Sequence, residues 1–255
     1  MQKKKETRRK QIIDMVREFG EIPIQKLNQS IPISDETIRK DLIELEEQGI
    51  VVRKHGRVIY HANNQNDSIL VRNNRNKAEK ERIASYVASI IEKEVSSNIY
   101  LDSGSTTFEI ARLFVDDTNR RVVTNSMSIA SLYNEHNNPN VMCVGGELRI
   151  VDRAFLGFWA VENIKRVDIE VAVLGTDGIN EGTGIGALSY DDKELKEAAA
   201  ASAKFTVAVF DSSKCAHTGP LEALPWEKID LVVSDEKMPD DYAEMIREKT
   251  RLVLV

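Results

Sequence analysis

The sequence predicts an α/β protein in two parts, a small helix-rich module closed by a charged hairpin and a larger domain built on a mainly parallel sheet. Three observations carry that expectation. Residues 10–60 hold three helical patterns and then two short apolar strands flanking a basic tip. From residue 78 onward, β-branched apolar runs alternate with helical patterns, the arrangement of a parallel sheet buried on both faces. The charge also changes sign: residues 1–60 carry 13 Lys/Arg against 10 Asp/Glu, and residues 61–255 carry 22 against 31. A net +3 module joined to a net −9 body fits a small basic reader on an acidic domain. The expected boundaries are 1–60, a linker at 61–77, and 78–255.

The first helical pattern spans 10–19, with Ile12, Ile13, Val16 and Phe19 at helical spacing and Gly20 as its stop. Pro23 sits where a second helix can start, running through Gln25, Lys26 and Leu27. Ile31, Pro32 and Ile33 connect tightly to Ser34, which can cap a third helix. There Ile38, Leu42 and Leu45 fall at i, i+4 and i+7, one buried stripe. Glu36, Arg39, Lys40 and Ile43 make the opposite face, so two cations project away from the core. Gly49 stops the helix; Ile50, Val51 and Val52 read as a strand, and Val58, Ile59 and Tyr60 as its returning partner. The basic tip between them is Arg53, Lys54, His55, Gly56 and Arg57. An ordinary amphipathic helix with a solvated charged face would explain residues 33–49 alone, but what precedes them favours a helix-turn-helix. With the hairpin it becomes a winged helix-turn-helix, whose third helix reads the DNA major groove while the wing touches backbone or minor groove. Ser34, Thr37, Arg39, Lys40, Lys54, His55 and Arg57 are the expected contacts to double-stranded operator DNA.

Residues 61–67 turn polar without periodicity, and 68–76 are basic and ambiguous. A helix is expected over 78–92, with Ile83, Val87 and Ile90 or Ile91 on one side. Strands are expected at 98–101, 122–124, 141–144, 171–174, 206–210, 231–233 and 252–255. Helices fall between them: one bearing Ile110, Ala111 and Phe114, then 127–136, 159–166, 191–204 and 240–249. The glycine-rich segment 182–186 follows no strand and opens no helix, and reads as a mobile loop.

At 42% hydrophobic and 30% charged, 255 residues have ample material for a globular core. No apolar run approaches the ~20 residues of a membrane span. The basic start MQKKKETRRK has no apolar stretch behind it and does not read as a secretory signal. Cys143 and Cys215 are far apart and make no C-x-x-C, which suits packing roles in a reducing cytoplasm. The four histidines have no metal-ligand spacing with them, and neither metal nor cofactor is expected.

In an open α/β sheet, ligands sit beyond the carboxyl ends of the strands, and polar residues gather there. Asp102, Ser103, Gly104, Ser105, Thr106 and Thr107 join a strand to a helix start, so their amides and hydroxyls can cradle a phosphate on the helix dipole. Taken alone, the loop is equally an ordinary capped turn, and it is neither a Walker A loop nor a G-x-G-x-x-G. Thr124, Asn125 and Ser126, Gly145 and Gly146, the run Gly175 to Gly178 through Asp177, and Asp211 to Lys214 repeat the theme at four further strand ends. Together they suggest a pocket for a small hydroxylated anion, with Lys214 as counter-charge and Asp177 as hydroxyl acceptor. Lys196 can add a second positive charge, or can simply lie on a solvated helix face.

The stretches SDETIRKDLIELEEQG and VRKHG, then RNNRNKAEK with Arg72 and Lys80, then LDSGSTT, VVTNS, VGGEL, LGTDGI and VFDSSK stand in one order along the chain. In that order they resemble the DeoR family of transcriptional regulators over nearly the full length. The family's hallmark is a Ser-x-x-Thr-Ile-Arg-Arg-Asp-Leu helix and a His-Gly-Gly wing. Lys40 here replaces the second Arg, keeping charge without bidentate geometry. Arg57 replaces the second wing glycine, adding a potential phosphate contact while restricting the turn. Asp191 or Asp192 stands ahead of Lys196 where a Glu is usual. The resemblance implies a second domain similar to ribose-phosphate isomerases and glucosamine-phosphate deaminases. It also implies a sensor for a phosphorylated sugar, using residues 103–107 with Asn125, Gly146, Asp177 and Lys214.

The expected function is therefore a sugar-phosphate-responsive regulator, most naturally a repressor of carbohydrate-metabolism genes. It would act as a dimer or tetramer because two half-sites need two reading heads. The rival is a sugar-phosphate isomerase or deaminase with an incidental extension, for which Asp177 and Lys214 supply a base and a cation. It lacks a second carboxylate or histidine placed for general acid work, and leaves the helix-turn-helix unexplained. A nucleotide-cofactor oxidoreductase lacks the glycine fingerprint.

Overall fold

The computed structural model describes residues 2–19, 21–47, 50–54, 56–60, 69–94, 97–180 and 182–255. The chain divides into two units, Met1–Arg75 and Asn76–Val255.

In the first unit, helix α1 (Gln2–Phe19) leads through strand β1 (Glu21–Pro23) to α2 (Ile24–Ser30) and α3 (Asp35–Glu47), then β2 (Val51–Lys54), β3 (Arg57–Tyr60) and α4 (Ile69–Asn74). The expected apolar stripe is the core: Ile12, Val16, Ile22, Leu27, Ile38, Leu42, Leu45, Val51 and Val58 are all buried together. Helix α1 starts well before residue 10, because polar Lys5, Arg8 and Arg9 are held by carboxylates on α3 rather than by an apolar stripe. Strand β1 is an addition to the expected hairpin. It pairs with β3 (Ile22 opposite Val58), so the sheet runs β1-β3-β2. Helix α4 lies inside the segment read as linker; its Ile69 is buried, it packs on α1, and Asn74 donates to the Phe19 carbonyl at 3.3 Å. The expected helix stops Gly20 and Gly49 and residues 61–68 lie outside the described residues.

The second unit continues with α5 (Lys77–Glu94), β4 (Asn98–Leu101), α6 (Ser105–Phe114), β5 (Arg121–Thr124), α7 (Met127–Glu135), β6 (Val141–Cys143), β7 (Glu147–Arg149), β8 (Ala154–Leu156), α8 (Phe158–Ile164) and β9 (Ile169–Leu174). Next come β10 (Ile179–Asn180), β11 (Gly184–Ala187), α9 (Tyr190–Ala201), β12 (Ala203–Val209), β13 (Leu221–Pro225), β14 (Leu231–Ser234), α10 (Asp240–Arg247) and β15 (Arg251–Leu254). Seven strands form one parallel sheet in the order β15-β14-β12-β9-β4-β5-β6. Alternate residues divide between two cores. Ile99, Leu101, Val171, Val173, Val207 and Val209 face α5, α6 and α7, while Tyr100, Ala172, Leu174 and Ala208 face α8, α9 and α10. Burial on both sides is why these strands read as continuous apolar runs.

Of the segment 182–186, only Gly182 and Thr183 are turn residues, leading into a strand. Gly184–Ala187 is a buried strand, the middle member of an antiparallel sheet β10-β11-β13. Its glycines disguise it: a Cβ on Gly184 would collide with the Leu224 carbonyl, so the strand's neighbours approach where side chains would otherwise stand. Among the described residues, no helix is long and apolar enough to cross a membrane.

Candidate functional site

Strands β4, β5 and β9 are neighbours, and their carboxyl ends meet in a network centred on Asp102, which is 2% exposed. Its Oδ1 accepts the Ser103 amide at 2.7 Å. Its Oδ2 accepts the Gly175 amide at 3.1 Å and the ammonium of Lys196. Lys196 projects from α9, whose cap is Ser189 (Asp192 N to Oγ, 3.3 Å), and Asp192 lies one turn earlier with its carboxylate 3.4 Å from Nζ. Asp192 is buried and Asp191 exposed, so Asp192 is the acid that accompanies Lys196. Burial alone would lower the lysine's pKa, but Asp102, Asp192 and Asp177 outweigh it and raise it above the ordinary range. Burial pushes Asp192 up to about 7, against the pull of Lys196 and with the repulsion of Asp102 and Asp177. Lys196 is thus neither a solvated helix residue nor a free second cation: it is a buried, compensated charge that ties α9 to the β4–α6 turn.

Above this pair, Gly104 precedes α6, and the amides of Ser105, Thr106 and Thr107 fall in a first turn that has no intrahelical acceptors. The Thr107 hydroxyl is committed to the carbonyls of Asp102 (2.5 Å) and Gly104 (2.8 Å). Those of Ser105 and Thr106 have no partner among the described residues. Asn125, fully buried after β5, accepts from the Tyr100 hydroxyl at 3.1 Å and donates to Ser103 Oγ at 3.4 Å. Burial, then Asp102 and Asp192, hold that Tyr100 phenol protonated well above its usual range. Thr124 Oγ1 donates to the Leu101 carbonyl at 2.6 Å and accepts the Ser126 amide at 2.9 Å, while Ser126 caps α7.

The remaining expected residues divide. Asp177 is half-buried after β9, with its amide on the Gly186 carbonyl at 3.3 Å and its charge felt by both Lys196 and Asp192. The Gly178 amide donates to Thr176 Oγ1 at 3.2 Å, one of four bonds of that hydroxyl, two to Gly178 and two that tie the β9 end to Gly186 in β11. Gly145 and Gly146 lead from β6 into the β7–β8 hairpin with φ of 71° and 117°. A Cβ on Gly146 would collide with the Leu156 carbonyl and sit 3.1 Å from Ala160, so this glycine lets the hairpin close on α8. Lys214 belongs to a second cluster, in the 3-10 turn Ser212–Ala216 beside Asp211. There Asp211 accepts from Asn76 at 2.6 Å and from Ser213, with buried Lys80 4.0 Å away. Burial opposes ionisation of Asp211, but Lys80, Ser213, Asn76 and Lys214 together hold its pKa below the ordinary value. A cavity of about 360 Å³ opens beside this cluster, lined by Asn76, Glu79, Ser212, Ser213 and Tyr242 among others.

Sequence reasoning missed Arg149, whose Nη1 donates to Ser189 Oγ at 2.7 Å and whose Nε pairs with Asp152 at 2.5 Å. It sits on a three-residue strand too short to show periodicity. It missed Tyr100 and Thr176 as well. For Tyr100 there was a usable signal: period-2 counting from Ile99 and Leu101 puts its polar tip on the opposite face.

In the first unit, Ser34 caps α3 as expected, its Oγ 3.4 Å from the Thr37 amide and 2.9 Å from the Thr37 hydroxyl. The outer face of α3 exposes Glu36, Arg39, Lys40 and Ile43. Arg39 and, in the wing, Lys54 are exposed and have no ionic partner among the described residues. Lys40 pairs with Glu36 at 2.8 Å and Arg57 with Glu21, both at the surface where a phosphate oxygen can replace the carboxylate. The wing turn places its positive φ at Gly56 (75°), while Arg57 is already an extended strand residue. The missing second glycine therefore does not restrict the turn. His55 lies outside the described residues. On the inner side, Asp41 is buried between Arg8 (2.5 Å) and Arg9 (3.0 Å), which fixes α3 against α1.

Residues 8–64 match the family model described as the DeoR-like helix-turn-helix domain, and residues 75–236 match the DeoR C terminal sensor domain. The chain is similar to the glycerol-3-phosphate regulon repressor of Escherichia coli (strain K12), 27% identical over 237 residues and covering 93% of each. It is similar also to the HTH-type transcriptional repressor GlcR of Bacillus subtilis (strain 168), 26% identical over 236 residues, 92% of this chain and 90% of that one. Ribose 5-phosphate isomerase from Plasmodium falciparum overlaps 52% of each chain at 15% identity and a TM-score of 0.36, a distant likeness that adds nothing to the sheet order above. With a helix-turn-helix and a sensor domain of one family matched in sequence along it, the chain belongs to the DeoR family of transcriptional regulators.

Proposed function

We propose that the protein represses carbohydrate-metabolism genes by reading operator DNA through α3 and the β2–β3 wing, under the control of a phosphorylated sugar bound at the carboxyl edge of the large sheet. The reading carries over the expected division into a reader at 1–60 and a sensor at 78–255, working in the cytoplasm as a homo-oligomer. The observation that carries the sensor half is the start of α6: first-turn amides with no intrahelical acceptor, and the Ser105 and Thr106 hydroxyls with no partner among the described residues, above the buried Asp102–Lys196 pair. Such a terminus favours a phosphate dianion, since its donors point outward and its dipole is positive there. Because Lys196 is already neutralised, amides and hydroxyls supply the attraction, with Lys214 as the outlying cation. Asp177 and Asn125 suit sugar hydroxyls, which both donate and accept.

The DNA half is supported by Arg39 on the outer face of α3 and Lys54 in the wing, cations without an ionic partner among the described residues, with Ser34, Thr37, Lys40 and Arg57 on the same elements and His55 carried over from the sequence. Two relatives named as repressors, one of a glycerol-3-phosphate regulon, agree with it. Regulation requires only that the effector bind the DNA-competent and DNA-incompetent arrangements with different affinity.

Thermal unfolding against a panel of sugar phosphates and their unphosphorylated parents tests the sensor. A ligand at 100 times its Kd adds about 2.7 kcal/mol of stability. A shift with one phosphorylated sugar and none with its parent is expected; a flat panel sinks the sugar-phosphate half. Sequencing the genomic fragments retained by the purified protein tests the other half, which fails if no shared motif emerges.

A further inference from the structure

Eight large apolar side chains are exposed among the described residues of the α/β unit, and all but Leu113 stand on one rim. Ile150 and Val151 form the tip of the β7–β8 hairpin, and Leu148 lies on its outer face opposite Phe155. Phe158 and Trp159 open α8, and Tyr190 opens α9. Ile150 is 80% exposed, Phe158 and Tyr190 69%, and Trp159 66%. The Phe158 and Trp159 rings pack edge to face at 5.3 Å and present one surface. Hydrogen bonds join the parts: Arg149 to Ser189 at 2.7 Å, and the Met127 amide to the Arg153 carbonyl at 2.8 Å. An aromatic buries ~150–250 Å², so three of them with their aliphatic neighbours offer on the order of 800 Å². That is the share one partner gives a standard interface, and exceeds the ~300–600 Å² patch of a typical monomer.

We infer that this rim is the contact through which two copies of the chain assemble about a two-fold axis. The identity of the occupant rests on the DNA-reading function proposed above, because two half-sites need two readers. It rests also on charge. Arg153, Glu147 and Asp191 border the rim, exposed and without ionic partners among the described residues. Across a two-fold axis residue i meets j and j meets i, so a pairing of Arg153 with Glu147 or Asp191 of the other copy forms twice. The rim adjoins the candidate pocket, since Arg149 bonds the cap of the helix that carries Asp192 and Lys196.

Sedimentation velocity of the full chain, without DNA or effector, tests the contact. Wild type is expected to sediment as a dimer or larger at micromolar concentration. The double variant Ile150→Asp/Trp159→Glu is expected to be monomeric, its association weakened about 100-fold or more, while Leu113→Asp assembles like wild type. A monomeric wild type, or a double variant that assembles as tightly as wild type, overturns the inference. If the double variant does not fold, hydrogen exchange on wild type decides: amides in 148–159 slow as concentration rises, and unchanged exchange there overturns it. Binding of wild type and Arg39→Glu to a random duplex of about 30 base pairs at low salt is measured in parallel. That arm reads the DNA half alone, so duplex binding alongside failed assembly removes the interface and keeps the reader.

Discussion

At the scale of single residues, the lesson is in Lys196. Its type and place suggested a cation for the effector, but its partner Asp102 lies 94 positions away, a distance along the chain at which no pattern reports a pairing. Lys196→Met leaves Asp102 and Asp192 buried without a cation, and about 3–5 kcal/mol of stability should be lost in urea unfolding. Asp192 supplies a pH test. Its proton is held to about pH 7 in the folded state, against 3.8 for an ordinary aspartate. The folded state therefore binds the extra proton between those values. This group's contribution is full below about pH 4 and is lost as pH rises through about 7. Asp192→Asn should flatten the fall in thermal midpoint across that window; an unchanged slope would assign it to another group. On the DNA side, Arg39 has no ionic partner among the described residues, while Lys40 must first leave Glu36. Arg39→Ala should cost about 1–3 kcal/mol in operator affinity, measured by fluorescence anisotropy, and relax discrimination at its base pair.

At the scale of elements, legibility followed burial. The parallel strands were readable because they are apolar on both faces, and the helices other than the short α4 because each keeps one stripe on a core. Outside the large sheet, the strands of two or three residues, β1, β7, β8 and β10, were invisible: too short for a period to accumulate, they exist through their partners. Strand β11 was misread because close backbone packing demands glycine, which elsewhere marks a turn. The β7–β8 hairpin shows the same dependence at Gly146. Gly146→Ala combines a φ of 117° with a collision against the Leu156 carbonyl, and should lower stability by about 1–3 kcal/mol or more. Calorimetry checks this, and an unchanged midpoint would mean that the hairpin closes some other way.

At the scale of the whole molecule, the two units have separate cores: Ile12, Leu27 and Leu42 with their neighbours in one, the two faces of the seven-stranded sheet in the other. Unfolding should therefore not be a single two-state event. Scanning calorimetry is expected to resolve two transitions, and a sugar phosphate should raise only that of the α/β unit. One transition moving as a whole would show the units to be energetically coupled. The opposed charges, net +3 over 1–60 and −9 over 61–255, confine the attraction for DNA to the small unit.

What the sequence by itself determined is everything that repeats locally: the winged helix-turn-helix, with its stripe of Ile38, Leu42 and Leu45, the alternation of strands and helices, and the placing of polar loops at strand ends. Only the tertiary structure decided which of those polar residues are bonded and which are left open. It neutralised Lys196, separated Lys214 into the Asp211 cluster, buried Asp41 between two arginines, and gathered seven exposed apolar side chains on one rim. The physical reason is that burial of a helix or strand is periodic along the chain, whereas charge compensation and surface patches depend on residues brought together from distant positions.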